Sequence, residues 1–395
     1  MIEQAQRILL EALKASLFDI EPSYPEDTDW NEVIKEAKAQ TVMGLISPVI
    51  PMYDESTDQG KANYMQLLYE QDKLLRLLDA NNIPCVILKG CAAAVYYPKP
   101  YLRAMGDVDF LVSHDKFNAA IELMESNGYS YLHGKDDDGN LMEGERHICY
   151  SKNGIEFELH HHFSSDGFDI DDVLESAIEK RKYRELNGYS IPMLPDIENG
   201  LVLLGHINHH LKYNDLGLRQ IIDWEMYLNS VMDSGKWEHE FAPLAKEIGL
   251  LDLAVNVTKM CEKHLGLPNT IIRKSDMDYD ISDELLEVLL TDGNFGRKKL
   301  SESTEYESKI HNAVSIIKSD GLFGYFQKSG LYNWKLCKKY PVLEPLAFIY
   351  GMFRFCGNVI VSLIKIGNVK KQIDEGKKKY DFRKKLGIRT EDQQL

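Results

Sequence analysis

The sequence predicts an α+β protein: a small mixed sheet flanked by helical N-terminal and C-terminal segments. Apolar residues recur at helical spacing through the first 80 positions and again beyond Asp171. Between them, short apolar runs alternate with glycine and asparagine turns. Residues 87–112, ILKGCAAAVYYPKPYLRAMGDVDFLV, combine a strand, a turn, a short helix and a second strand.

The elements follow in order. Ile8, Leu9, Leu13 and Leu17 mark a first helix. Asp27, Thr28 and Asp29 offer caps for a helix over 31–38. Leu67, Leu68, Leu74, Leu75 and Leu78 form the stripe of a helix over 61–81. The character changes at Pro84. A buried strand over 85–88 meets a turn at Gly90, and a helix over 91–97 is ended by Pro98 and Pro100. A second strand is expected over 105–112, a helix over 116–127 stopped by Gly128, and a third strand over 129–133. The polar run 134–144 reads as a surface loop. Asn153-Gly154 joins 147–150 to 155–160 as a hairpin. From Asp171 the chain reads as mainly helical, clearest over 197–211, 218–232, 237–246 and 250–265, with further helices over 281–395 around a polar middle at 292–308. The expected organisation is a helical segment 1–80, an α/β core 81–170, a helical body 171–300 lining a cleft, and a helical region 301–395 with a basic tail. No internal repeat is present.

At 395 residues the chain has room for two or three domains, and 44% hydrophobic and 27% charged residues are ordinary for a globular protein. A net charge of −16 excludes a general nucleic-acid or membrane binder. Residues 370–389 are the exception: nine Lys/Arg against three Asp/Glu give +6, leaving −22 on the rest. The six cysteines are scattered without a CxxC pair and suit small apolar fillers in a reducing, cytoplasmic setting. The amphipathic first residues, with Glu3, read as a helix and not a signal peptide. The apolar stretch 343–366 contains Glu344, Pro345, Arg354 and Asn358, so a buried helix is expected there and not a span. An interfacial helix leading into the basic tail is the other option.

Asp107 and Asp109 share one face of their strand, with Val108, Phe110 and Val112 on the other. Paired carboxylates opposite a glycine turn that opens a helix suit a divalent metal and a triphosphate. In the hairpin, Glu156, Glu158 and His160 share a face, so either glutamate can supply a third carboxylate. Arg103 suits a phosphate contact or a structural ion pair. Lys89 suits a phosphate ligand or an exposed strand end. In His160-His161-His162, alternation lets only His160 and His162 act together. His206 and His210 share a helical face, but Ile207 stands where a zinc protease needs glutamate. Arg219 and Asp223, also four apart, suit an ion pair.

Together these residues resemble the DNA polymerase β-like nucleotidyltransferase superfamily, and within it the bacterial group of uncharacterised nucleotidyltransferases. That group's motif, LKG, a short helix, then R-x-x-G-D-h-D-h-h-V, is matched by Leu88-Lys89-Gly90 and by Arg103 to Val112 with Gly106, Asp107 and Asp109 in place. A carboxylate-Leu-His element is matched by Glu158-Leu159-His160, an H-x-x-x-H helix by His206 and His210, and an R-x-x-x-D by Arg219 and Asp223. The resemblance covers about residues 25–230. It implies that Asp107, Asp109 and Glu158 are catalytic and hold Mg²⁺, with Mn²⁺ as a substitute and Asp109 bridging. It decides for Glu158 over Glu156. It further implies nucleotide binding by Lys89, Gly90, Arg103 and Gly106, and substrate contacts from His160, His206 and His210. The expected partners are an NTP and a hydroxyl acceptor on a small molecule, sugar, peptide or protein. No nucleic-acid template is expected, since nothing beyond the tail offers a basic, aromatic track. The superfamily follows its turn glycine with serine or glycine, whereas Cys91 stands here, leaving phosphate to backbone N–H groups and Lys89. The competing class is a catalytically inactive binding or regulatory protein, such as a toxin–antitoxin-like partner. The basic tail is either a solvated end or docks to an acidic partner or anionic lipid, with 343–389 as the stretch that would make a membrane-surface contact.

Overall fold

The first apolar stripe forms α1 (Gln4–Phe18), with Ile8, Leu9, Leu13 and Leu17 all buried. The computed structural model describes residues 2–51, 56–135, 146–163, 169–213, 216–268, 270–272, 280–292, 302–334, 336–337, 340–365 and 369–388. The chain divides into two compact units, 1–298 and 299–395.

In the first unit, α2 (Trp30–Ala39) is capped by the Asp29 carboxylate, which accepts from the amides of Asn31 and Glu32. After the short α3 (Met43–Ile46) comes α4 (Ser56–Ala80), longer than its stripe implied. The sheet then begins with β1 (Cys85–Ile87), followed by α5 (Cys91–Ala94), which is three residues shorter than expected. Tyr96 and Tyr97 donate to carbonyls only three residues back, so the helix tightens and ends before the two prolines. The second strand, β2 (Asp107–Val112), starts two residues later than expected. A 3₁₀ turn, His114–Lys116, leads into α6 (Phe117–Ser126) and β3 (Ser130–His133). Next come β4 (His147–Lys152) and β5 (Ile155–His160), joined at Asn153-Gly154. The expected loop falls mostly on 136–145, outside the described residues.

The helical reading from Asp171 needs correction. After α7 (Asp171–Ile178) the chain forms a second hairpin, β6 (Lys182–Leu186) and β7 (Tyr189–Met193). Its turn is again Asn-Gly, with φ of 51° at Asn187 and 83° at Gly188, the left-handed pair a two-residue hairpin requires. The sheet therefore runs past residue 170, in the order β3-β4-β5-β2-β1-β7-β6. β2–β5 and β1–β7 are parallel, and the other pairs antiparallel. The long α4 holds both hairpin tips: Tyr64 donates to the Asn187 side chain at 2.7 Å and Gln66 to the Asn153 carbonyl at 3.0 Å.

The helical body contains α8 (Asp196–Tyr213) and α9 (Leu218–Val231). α10 (Ser234–Lys236) runs through a π-helical turn into α11 (Ala242–Glu247). α12 (Leu251–Met260) and α13 (Ser282–Asp292) complete it. Trp224 and Tyr227 of α9 are fully buried, and the Trp224 indole donates to Thr258 at 3.1 Å. Each such apolar side chain stabilises the body by about 1.5–3 kcal/mol relative to exposure.

The second unit is helical. α14 (Glu302–Asn333), which bends at Gly321 where φ is 72°, packs against α15 (Ala347–Lys365) and α16 (Val369–Lys385). Glu302 to Ser308, expected within a polar middle, are helical, and 293–301 lie outside the described residues. The expected burial of the apolar stretch holds only in part, since Ile349, Met352 and Phe353 of α15 are exposed. Among the described residues no helix is long and apolar enough to cross a membrane.

Candidate active site

Parallel pairing of β2 with β5 sets Asp107 beside Glu156 and Asp109 beside Glu158. Of the two glutamates, Glu158 joins the aspartates: one oxygen from each of Asp107, Asp109 and Glu158 lies within 4.8 Å of the others. Glu156 is exposed. The three acids lie in a cleft of about 220 Å³, lined also by Lys89, Gly90, Gly106, Arg146, His147, His160, His206, His209, His210 and Arg219. An all-oxygen donor set of this kind fits Mg²⁺ or Mn²⁺. The neighbouring Asp109 charge, with burial, pushes the Asp107 carboxyl above its usual range, a crowding that a divalent cation relieves.

Asp109 is almost completely buried and is met by Lys89 and His160. Lys89 Nζ lies 2.6 Å from Oδ1, and His160 Nε2 lies 3.1 Å from the same atom and 3.4 Å from Glu158. Burial opposes the Lys89 charge, but Asp109, Glu158 and Asp107 outweigh it and hold the ammonium above its usual range. Burial likewise opposes a charged His160, and its bonds to Asp109 and Glu158 outweigh that. Burial tends to raise the Glu158 carboxyl; the bond to His160 and the Lys89 charge prevail and hold it well below the usual range. Lys89 is thus not an exposed strand end.

Gly90 has φ of 52°, a positive value that L side chains rarely adopt, so the turn into α5 calls for glycine. At Gly106 a Cβ would meet nothing within 4 Å. Arg103 is tied into the scaffold: its Nε and Nη2 each donate to Asp223 at 2.7 Å, and Tyr97 donates to Asp223 at 2.7 Å. Asp223 clasps Arg103 across 120 residues of chain, and its charge also favours the charged form of Arg219. This fork fastens the loop before β2 onto α9. Arg103 and Arg219 both line the cleft.

His206 and His210 line the cleft with their Nε2 atoms 2.7 Å apart. Burial, then the His210 and Lys89 neighbours, keep His206 neutral. His161 and His162 depart from the expected alternation because β5 ends at His160; both turn towards His114. Sequence reasoning passed over His147, Arg146 and His209. His147 was within reach: counting back from the Asn153-Gly154 turn places it opposite His160. Burial and His160 push the His147 imidazole down to about 4, and it lies 3.7 Å from Glu158.

Residues 26–266 match the model of a family described as uncharacterised nucleotidyltransferase. The chain belongs to that nucleotidyltransferase family. No curated protein matches it. Among solved structures, the solution structure of the antibiotic-resistance factor ANT(2'')-Ia is 12% identical with a TM-score of 0.33, over 51% of this chain and 96% of that one. An antigenic nucleotidyltransferase-like protein from Paracoccidioides brasiliensis is 16% identical with a TM-score of 0.34, over 54% and 97%. Both likenesses are too slight to bear on what this nucleotidyltransferase acts upon.

Proposed function

We propose that the protein transfers an NMP from an NTP to a hydroxyl of a small molecule, sugar, peptide or protein, with Asp107, Asp109 and Glu158 as its catalytic, metal-holding carboxylates. The convergence of these three acids in one cleft, in a chain of this family, carries the reading. Asp107, Asp109 and Glu158 would hold Mg²⁺ or Mn²⁺, which would supply neutralisation of the triphosphate charge and a more acidic acceptor hydroxyl. The chain's own groups do the positioning. Gly90 and Gly106 keep the cleft wall free of side chains beside the phosphates. Lys89 and Arg219 present cations to the triphosphate, while Arg103 holds the β2 loop through Asp223. His147, uncharged at neutral pH and 3.7 Å from Glu158, lines the cleft beside the acceptor hydroxyl. His160 orients Asp109 and Glu158, and His206 and His210 face the acceptor.

One observation favours a second reading. Lys89 already neutralises Asp109 by direct contact, as a binding or regulatory protein without turnover would permit. Incubation with each α-labelled NTP, Mg²⁺ or Mn²⁺ and a cell extract separates the two. Label on an acceptor that disappears in the Asp107→Ala/Asp109→Ala protein supports transfer. Equal label from both proteins, or none with any NTP, supports the non-catalytic class.

A further inference from the structure

β5 ends at His160, and the next two residues leave the cleft. His161 and His162 meet His114, on the 3₁₀ turn after β2, and one ring nitrogen from each lies within 4.8 Å of the others. The rings are fixed by their surroundings. His114 stacks on His161 with centroids 4.6 Å apart and planes at 22°, and Phe117 meets His161 edge-on at 4.5 Å. The His114 amide donates to Glu175 of α7 at 3.2 Å.

Hydrogen bonds select which nitrogen is free on two of the rings. His114 Nε2 lies 3.0 Å from the His161 carbonyl oxygen, which only accepts, so Nε2 carries the proton and Nδ1 the lone pair. His162 Nδ1 lies 3.3 Å from the Asp171 carboxylate, another acceptor, so the lone pair is on Nε2. Asp171 is itself oriented by the Phe163 amide at 2.7 Å. That His162 Nε2 lies 2.6 Å from His161 Nδ1. In the bare protein a proton on His161 Nδ1 makes this contact a hydrogen bond, and a metal that displaces that proton finds the two nitrogens already side by side. Histidines whose second nitrogen is bound by a carbonyl or a carboxylate are the ones metals commonly select.

We infer that His114, His161 and His162 form a binding site for a divalent transition metal, with zinc the best fit, separate from the carboxylate cleft. Imidazole nitrogens suit zinc, copper or nickel, whereas magnesium prefers oxygen. Water completes a four-coordinate zinc. None of the three histidines lines the cleft, so the inference stands whatever reaction that cleft performs. The ion would join the exits of β2 and β5, the two strands that bear the acids, and Asp171 would bring in the start of α7.

The test uses the full chain, stripped with a chelator and titrated with zinc against a chromophoric competitor, with the Co²⁺ absorption spectrum as a second readout. In wild type, Asp109→Ala and His147→Ala alike, one zinc is expected to bind at the three-histidine site with equal affinity, apart from any zinc taken up by the carboxylate cleft. His114→Ala and His162→Ala should lose about 100-fold or more, and Asp171→Asn, which keeps all three imidazoles, about 10–100-fold. The proposal is overturned if wild type binds zinc no more tightly than His114→Ala and His162→Ala, in which case a shared proton accounts for the short contact. It is equally overturned if Asp109→Ala or His147→Ala abolishes binding. Should the alanine proteins fail to fold, an unchanged affinity in Asp171→Asn overturns it.

Discussion

Asp109 is the side chain on which the cleft converges, touched by Lys89 and His160 and facing Asp107 and Glu158. Asp109→Asn keeps the shape and removes the charge; transfer measured with the labelled NTP should fall by about 10²–10³. Arg219→Ala should also lower transfer, while raising the KM for NTP more than Arg219→Lys does. Glu225 offers a test away from the cleft. It is fully buried, and burial outweighs the Leu267 amide and Lys14 to hold its carboxyl well above the usual 4.5. A raised folded pKa stabilises fully below the unfolded value and loses that contribution as pH rises. Glu225→Gln should therefore match wild type in thermal melts near pH 4 and gain over it steadily towards neutral pH. The D-x-D pair was legible because strand alternation is local, whereas alternation left Glu156 and Glu158 equal and the family resemblance chose Glu158. Arg103's partner was not, since no local rule announces a bond spanning 120 residues.

Among the elements, the join between the β2 loop and α9 depends on the buried Arg103–Asp223 fork. Removing one partner, as in Arg103→Ala or Asp223→Ala, leaves an uncompensated buried charge and should cost about 3–5 kcal/mol in urea denaturation. Arg103→Met/Asp223→Leu should recover much of that. The first hairpin was legible from Asn153-Gly154. The second carries the same signal at Asn187-Gly188, but its outer strand is exposed from Lys182 to Glu185, so no apolar alternation drew attention to it. The short α5 shows proline acting upstream of its own position.

For the whole molecule, every cleft residue named above lies in the unit 1–298. A chain ended at residue 298 should melt cooperatively and retain NTP binding by calorimetry. The other unit joins exposed Ile349, Met352 and Phe353 to a helix that ends in Arg383, Lys384 and Lys385. Full-length protein is expected to sediment with anionic vesicles and to be released by salt, with Phe353→Ser weakening the association. This region was the least legible, because amphipathic helices outside the family motifs reveal their packing partners only in three dimensions.

The lysine seated on Asp109 has one more implication. An acidic trio that arrives with its own counter-charge does not tear the sheet apart when left bare, so folding need not wait for magnesium. Protein prepared in chelating buffer should keep its shape, and the same sample should respond as soon as the ion is returned.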